Sequence, residues 1–232
     1  MSSRNLLAWL WPIAVFIAVA AGLAWLFAEA GAQVDPREPI PGNIGETASN
    51  DEPAAPPVGV TVPGPGEPAA ALAGHWPQFR GPNRDGVAPW PRDAPPLDEA
   101  IAATAPHVQW EVELGEGYAG AAVWEGRVYV RDYDRDAAAD TLRCLSLATG
   151  EQIWQYSYPV EVKRNHGMSR TVPTVANGVV ITLGPKCHVS AVDATTGEYR
   201  WSMDLVGQFG TTVPEWYAGQ CPLVDGERVI LA

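Results

Sequence analysis

Apolar residues alternate with other residues along several short segments in the second half of the chain, as at Leu145 and Leu147 and again at Val192 and Ala194. Alternation with a period of two predicts β-strands that turn one face towards a core. A Thr-Gly pair follows each of these segments and predicts a tight turn, because glycine adopts positive φ without a Cβ clash. A second short strand then ends on a tryptophan, Trp154 or Trp201.

This pattern is repeated along the chain. The sequence Arg143–Trp154 returns 47 residues later as Ser190–Trp201. A second pattern, in which a glycine-centred turn joins two apolar strands, precedes each copy and occurs three times, around Gly126, Gly178 and Gly226. Together the two patterns predict units of four antiparallel strands, A to D, with short A–B and C–D hairpins. Such units indicate the blades of a β-propeller; the alternative is a β-sandwich with accidental self-similarity.

Two segments resemble a known family. Ala191–Trp201 (Ala-Val-Asp-Ala-Thr-Thr-Gly-Glu-Tyr-Arg-Trp) is similar to the repeat of the pyrroloquinoline-quinone-like (PQQ-like) β-propellers. Trp76–Gly86 (Trp-Pro-Gln-Phe-Arg-Gly-Pro-Asn-Arg-Asp-Gly) resembles the lead-in segment of their bacterial, envelope-associated branch. The resemblance covers residues 76–232 and implies an all-β propeller of four-stranded blades. It does not decide the activity, because the family includes quinoprotein dehydrogenases and outer-membrane assembly lipoproteins.

The blades can be counted along the chain. Val108–Leu114 is predicted as a lone D strand with Trp110, Ala119–Tyr158 and Thr171–Leu205 as two blades, and Gln220–Ala232 as strands A and B of a third. About two and a half blades are therefore expected, whereas a propeller needs at least four. We expect the sequence to be the N-terminal part of a longer protein; the alternative is closure by self-assembly.

The N-terminal region predicts a membrane anchor. Leu6–Ala28 is a run of 23 residues without a charge, which is long enough for a transmembrane helix. Arg4 precedes it and acids follow it, which predicts a cytoplasmic N-terminus and, with the resemblance, a periplasmic propeller on a single-pass inner-membrane protein. Cleavage at the Ala28-Glu29-Ala30 site is the alternative.

Three regions are thus expected: an anchor over 1–30, a Pro-rich disordered linker over 31–74, and the repeats over 75–232. The net charge of −12 disfavours nucleic acid and anionic lipid as partners. Cys144 is predicted to be a buried apolar residue, whereas a bridge between Cys187 and Cys221 is left open by the sequence.

Blade topology places the B–C and D–A loops on one face, and three unusual loops fall there: 131–140, 163–170 and 210–219. The second loop holds a basic group suited to a carboxylate, a phosphate or an acidic loop of a partner, with pairing to neighbouring acids as the alternative. The third offers an acceptor and a stacking surface, with plugging of the central channel as the alternative. The candidate binding residues are Lys163, Arg164, His166, Arg170, Glu215, Trp216 and Tyr217.

The first loop contains a weak candidate for a metal site. Asp132, Asp134 and Asp136 have the spacing that begins a calcium-binding loop. The match then fails, because Ala137 replaces the required glycine and Arg143 replaces the bidentate glutamate. A solvated charged hairpin is therefore the preferred interpretation.

Two functions follow from these features. The preferred one is a membrane-tethered, non-catalytic module in the periplasm that binds a protein or saccharide partner through its loop face. The alternative is a PQQ-dependent quinoprotein dehydrogenase, for which the resemblance implies PQQ and calcium. Such an enzyme would need a vicinal Cys-Cys pair, a tryptophan platform and a calcium-ligating Glu/Asn/Asp set, and the sequence contains no adjacent cysteines.

Overall fold

The computed structural model describes residues 56–69, 75–88, 107–163 and 168–232, together with positions 96, 98, 99 and 102. Its strands and its short helix follow one another along the chain. They are β1 (Val60–Pro63), β2 (Ala122–Trp124), β3 (Arg127–Asp134), β4 (Ala139–Ser146), β5 (Gln152–Pro159), β6 (Thr174–Ala176), β7 (Val179–Leu183), β8 (His188–Asp193), β9 (Tyr199–Asp204), α1 (Leu205–Phe209), β10 (Leu223–Asp225) and β11 (Arg228–Ile230).

The antiparallel sheets agree with the predicted blades. The first blade is β2 to β5 and the second is β6 to β9, each in chain order, and β10 and β11 form a separate hairpin. They correspond to the predicted strands A to D of the first blade, strands A to D of the second blade, and strands A and B of the third. The prediction of an all-β chain built from four-stranded antiparallel units is confirmed at this level.

The A–B hairpins owe their tightness to residues with positive φ. Glu125 and Gly126 have φ of 46° and 71°, and Asn177 and Gly178 have φ of 51° and 75°. Positive φ at both central residues is characteristic of a type I′ turn, whose twist matches that of the strands it joins. The glycine-centred pattern therefore encodes the hairpins directly.

The main core lies between the two blades. Aromatic side chains of the first blade, among them Tyr129, Trp154 and Tyr156, are buried together with Val180 and Val192 of the second. A second core joins the second blade to the β10–β11 hairpin. Each blade thus buries one face against the next, as expected for units that cannot form a core alone.

The prediction of a lone D strand over 108–114 is wrong, because none of the strands in the described ranges includes these residues. The segment instead lies against the outer face of the first blade, where Trp110 and Val112 pack on Val128, Val130 and Leu145. The indole Nε1 of Trp110 donates to the carbonyl of Leu147 over 3.0 Å. The segment has the side chains of a D strand, but within the described ranges it pairs with no C strand.

Part of the predicted disordered linker is ordered. Within 31–74, β1 pairs antiparallel with β5 and extends the first sheet to five strands. Gly64 N and Gly66 N donate to the carbonyls of Ile153 (2.8 Å) and Gln152 (2.9 Å). The prediction missed this strand because it relied on proline content, although the outer edge of β5 offers an extended segment free N–H and C=O groups.

The predicted loop over 131–140 is mostly strand. β3 continues to Asp134 and β4 begins at Ala139, which leaves a turn of four residues. Pairing from Arg127↔Ser146 to Asp134↔Ala139 is continuous, so cross-strand hydrogen bonds outweigh the low strand preference of the aspartates.

In the described ranges no helix is both long and apolar enough to cross a membrane. The predicted anchor Leu6–Ala28 lies outside the described residues.

Candidate functional site

The β5–β6 and β9–β10 connections meet at Tyr217. Its hydroxyl donates to the carbonyl of Lys163 over 3.0 Å. The backbone nitrogen of Lys163 also donates to the oxygen of this hydroxyl, over 2.9 Å. The Nη2 of Arg170 donates to the carbonyl of Tyr217 over 2.8 Å. Three of the predicted binding residues are therefore brought together on one face.

The other predicted binding residues have different places. Glu215 and Trp216 precede Tyr217 on an exposed turn, and Trp216 is 48% exposed. Arg164 and His166 lie outside the described residues. Their predicted roles remain predictions.

The Arg170 side chain is held against a glycine. A Cβ at Gly219 would lie 2.7 Å from the Nε of Arg170, so the guanidinium occupies the space that another residue would fill. The Nε is buried and has no hydrogen-bond partner. The absence of a side chain at Gly219 thereby lets Arg170 lie beside the β9–β10 connection, where it donates to the backbone carbonyl of Tyr217.

An open depression of about 680 Å³ lies beside this arginine. Residues that precede β2, β6 and β10, the first strands of the three units, contribute to its lining, among them Ala121, Val172 and Cys221. The lining also includes aromatic and basic side chains, namely Trp76, Phe79, Arg80, Tyr118 and Arg170. A concave, mainly apolar surface with a few polar groups is typical of a binding site.

One wall of the depression comes from the lead-in segment 76–86. Trp76 and Val123 exchange both backbone hydrogen bonds, at 2.8 and 2.9 Å, and the carbonyl of Pro77 accepts from Val175 N at 2.7 Å. The segment therefore crosses the inner strands of both blades. In the sequence this segment stood out by its resemblance to a known family, and no binding role was predicted for it.

The two arginines that line the depression, Arg80 and Arg170, have other partners than four arginines elsewhere in the described residues. Four arginines pair with carboxylates: Arg131 with Asp140, Arg135 with Glu116, Arg143 with Asp132, and Arg200 with Asp193. Arg80 and Arg170 instead donate to the backbone carbonyls of Asp85 and Tyr217, and Arg127, away from the depression, likewise donates to a backbone carbonyl, that of Glu125. The sequence left open that Arg170 pairs with a neighbouring acid. Among the described residues it forms no such pair and donates to a carbonyl instead. The surface around the depression thus keeps positive charge on a chain of net charge −12.

The three aspartates of the weak metal prediction are engaged separately. Asp132 is buried, and its Oδ2 accepts from Gly115 N at 2.6 Å and from Arg143 Nε at 2.9 Å. Asp134 accepts from Ala137 N, and Asp136 is exposed. The described part of the chain contains no group of three His, Cys, Asp or Glu side chains that could hold a metal ion. Strand pairing, which turns Asp132 into the interior, explains why the calcium-loop spacing does not form such a loop.

A buried ionic network joins the two blades near this face. Arg131 pairs with Asp140 and also donates to Thr171 Oγ1 and to the carbonyl of Leu183. Ser169 donates to the same carboxylate. These contacts anchor the start of β6 next to Arg170, and no sequence pattern pointed to them.

The cysteines do not form a redox pair. Cys144, Cys187 and Cys221 are free thiols, so the Cys187–Cys221 bridge is not formed. Burial raises the pKa of all three, that of Cys144 to about 12. With no adjacent cysteines and no metal-binding group among the described residues, this region does not fit a PQQ–calcium centre. No catalytic step is therefore assigned to it.

Comparison with known proteins shows what the repeats are similar to. Residues 138–232 match the family model of PQQ-like repeats described as outer membrane protein assembly factor BamB, and this part of the chain carries such repeats, as predicted. The chain is 36% identical over 92 residues to the dehydrogenase subunit of the quinone-type alcohol dehydrogenase of Gluconobacter oxydans (strain 621H), which covers 35% of this chain and 12% of that protein.

Two further proteins are similar to parts of the chain. The quinohemoprotein alcohol dehydrogenase ADH-IIG of Pseudomonas putida is 33% identical over 91 residues, covering 35% of this chain and 11% of that protein. The crystal structure of BamB from Moraxella catarrhalis is 23% identical, with a TM-score of 0.31, and covers 41% of this chain and 26% of that one. The chain therefore matches a small part of the length of each curated relative.

Proposed function

We propose that this PQQ-like repeat chain is a non-catalytic binding module that presents its loop face to a protein partner in the bacterial envelope. The observation that carries the proposal is the exposed surface at the loop face, where Tyr217 ties Lys163 to Arg170 beside a depression with aromatic walls. Aromatic and arginine side chains are enriched at the centres of protein interfaces, which supports this assignment.

The local chemistry is suited to binding. Phe79 and Tyr118 are 55% and 78% exposed at the depression. Large apolar side chains grouped on a concave surface gain free energy when a partner removes them from water. The family model is described as an outer membrane protein assembly factor, which favours a protein over a saccharide as the partner.

The location is part of the proposal. We propose that Leu6–Ala28 anchors the chain in the inner membrane, with the repeats in the periplasm. The acidic surface would then face other envelope proteins, and nucleic acid is not a partner.

In-cell photo-crosslinking tests this proposal. Benzoylphenylalanine replaces Tyr118 at the depression or, as the matched control, Tyr199, an exposed tyrosine on the outer strand β9. Illumination of cells of the source organism should yield one defined protein adduct from position 118 and none from position 199, with mass spectrometry identifying the protein. Equal adducts from both positions, no adduct, or an adduct with saccharide would contradict the proposal.

The second candidate function is a quinoprotein dehydrogenase. It is favoured by the 36% identity to the alcohol dehydrogenase subunit. PQQ would supply the redox chemistry in such an enzyme, and calcium would be its companion ion. Against this candidate, the described residues offer neither an adjacent cysteine pair nor a group of metal ligands.

A further inference from the structure

We infer that the depression binds a carboxylate-rich segment of the protein partner that also carries aromatic or aliphatic side chains. The inference rests on the proposed function and specifies the chemistry of the partner. We call this surface, which is lined by Trp76, Phe79, Arg80, Tyr118 and Arg170, the basic depression.

The charge of the lining is the first argument. The residues that line the basic depression include two arginines and no aspartate or glutamate. On a chain with 27 acids and 15 basic residues, such a surface is a local exception. An anionic ligand meets least repulsion at this place, and its approach is favoured by the field of the arginines.

The free hydrogen-bonding capacity of these arginines is the second argument. The Nη2 of Arg80 lies 3.4 Å from the carbonyl oxygen of Asp85, which is at the limit of a hydrogen bond. Arg170 uses Nη2 on the carbonyl of Tyr217. A guanidinium carries five N–H donors, so both side chains retain donors for a carboxylate, and a carboxylate matches the guanidinium fork in geometry.

The apolar walls give the third argument. Phe79 and Tyr118 are exposed, and Trp76 is pinned to β2 by its backbone. A free inorganic anion or acetate would leave these rings in water, whereas a peptide with both carboxylates and apolar side chains would cover them. The volume of about 680 Å³ is within the range of pockets that hold drug-sized ligands.

Fluorescence anisotropy on the full 232-residue chain in mild detergent tests the inference. The probe is a fluorescein-labelled Glu-Asp-Phe-Glu-Asp-Phe-Glu peptide, and the matched control is its amide form, Gln-Asn-Phe-Gln-Asn-Phe-Gln. We expect the acidic probe to bind at least about tenfold more tightly than the amide form, and its binding to weaken in about 0.5 M NaCl, because charge-assisted contacts are lost or screened.

Variants identify the site. Arg80→Gln should weaken binding of the acidic probe at least about fivefold, the size expected for one charge-assisted contact. Phe79→Ser should weaken the binding of both the acidic probe and its amide form. Arg200→Gln is the matched control, because this arginine is exposed on β9 and already paired with Asp193, and it should leave binding unchanged. Equal binding of the two probes, or an equal loss in the Arg200 variant, would overturn the inference.

Failure of the inference is distinguishable from failure of the proposed function. An adduct at position 118 together with no preference for the acidic probe would keep the protein-binding function and reject the carboxylate chemistry. Binding of the acidic probe without any adduct at position 118 would reject the protein partner.

Discussion

The indole ring of Trp154, at the end of the first blade, lies directly against the Cα of Gly197 in the C–D turn of the second. A Cβ at Gly197 would be 2.6 Å from Cδ2 of the tryptophan, and Gly197 has φ of 72°. Trp110 has the same relationship to Gly150, with 2.6 Å between Cε3 and the missing Cβ. The glycine of each C–D turn is therefore covered by a tryptophan from earlier in the chain, and for Gly197 and Trp154 this contact joins the two blades.

Gly197→Ala tests this contact. The variant should lose about 2–4 kcal/mol of unfolding free energy, since it combines left-handed backbone strain with overpacking against Trp154. Gly178→Ala is the matched control, because Gly178 has φ of 75° and no atom within 4 Å of its missing Cβ. The control should lose only about 1–2 kcal/mol from backbone strain. Urea unfolding monitored by tryptophan fluorescence measures both, and equal losses would show that the indole contact is not decisive.

Asp193 predicts acid sensitivity in the second blade. Burial by itself would raise the pKa of Asp193, but hydrogen bonds from Arg200 and from the backbone N–H groups of Thr196 and Thr195 lower it to about 2. The unfolded value is about 4. Because the folded pKa is the lower one, the stabilisation is complete above about pH 5 and is lost as the pH falls through 4 towards 2.

Asp193→Asn should therefore reduce stability at pH 7, while the difference from the wild type should shrink towards pH 2. Chemical unfolding at several pH values measures this difference. The control is Glu227→Gln, at an exposed acid in the β10–β11 turn. It should leave the dependence of the unfolding free energy on pH unchanged. A difference between Asp193→Asn and the wild type that is constant from pH 2 to pH 7 would reject this linkage.

Neutralising only one partner of the buried pair of Arg131 and Asp140 should lower the unfolding free energy strongly. Both side chains are 1% exposed. Asp140→Asn leaves a buried guanidinium without its counter-charge, for which about 3–5 kcal/mol is expected. The exposed pair of Arg135 and Glu116 is the control, and Glu116→Gln should cost less than about 1 kcal/mol.

A double-mutant cycle separates this pair from general packing. Arg131→Met combined with Asp140→Leu should cost clearly less than the sum of the two single changes, because no lone charge is left inside. Additive losses would contradict the coupling.

Gly64→Ala should release the outer strand β1. A Cβ there would lie 2.0 Å from the carbonyl oxygen of Gln152, on the backbone of β5. Hydrogen exchange by mass spectrometry should show loss of protection over 60–66 while β7 and β8 keep theirs. Val60→Ala is the control, because Val60 is 68% exposed. Protection of 60–66 that persists in Gly64→Ala would show that β1 does not depend on this close approach.

The sequence predicted the strands that carry a repeated pattern and failed where order depends on a distant partner. Gly126 and Gly178 mark hairpins because positive φ is a local property. Thr61 lies in a Pro-rich segment, and its order comes from pairing with Tyr156, far away in the sequence. Such long-range pairing leaves no local signal.

The candidate site shows the same division. Loop positions follow from blade topology, and Lys163, Arg170 and Tyr217, which the sequence put on neighbouring loops, do contact one another. The contribution of Trp76 and Arg80 was missed, because it depends on the lead-in segment crossing the inner strands. The aspartates at 132 and 134 were misassigned to a loop since spacing alone does not reveal strand pairing.

Calorimetric titration with PQQ and calcium tests the central claim, that this chain is a binding module and not a quinoprotein dehydrogenase. The detergent-solubilised full chain is used, after near-UV circular dichroism has shown that its tryptophans are in fixed surroundings. We predict no binding heat from PQQ with calcium, while the acidic peptide probe still binds the same preparation. Saturable one-site binding of PQQ at micromolar or tighter affinity would contradict the claim and favour the dehydrogenase.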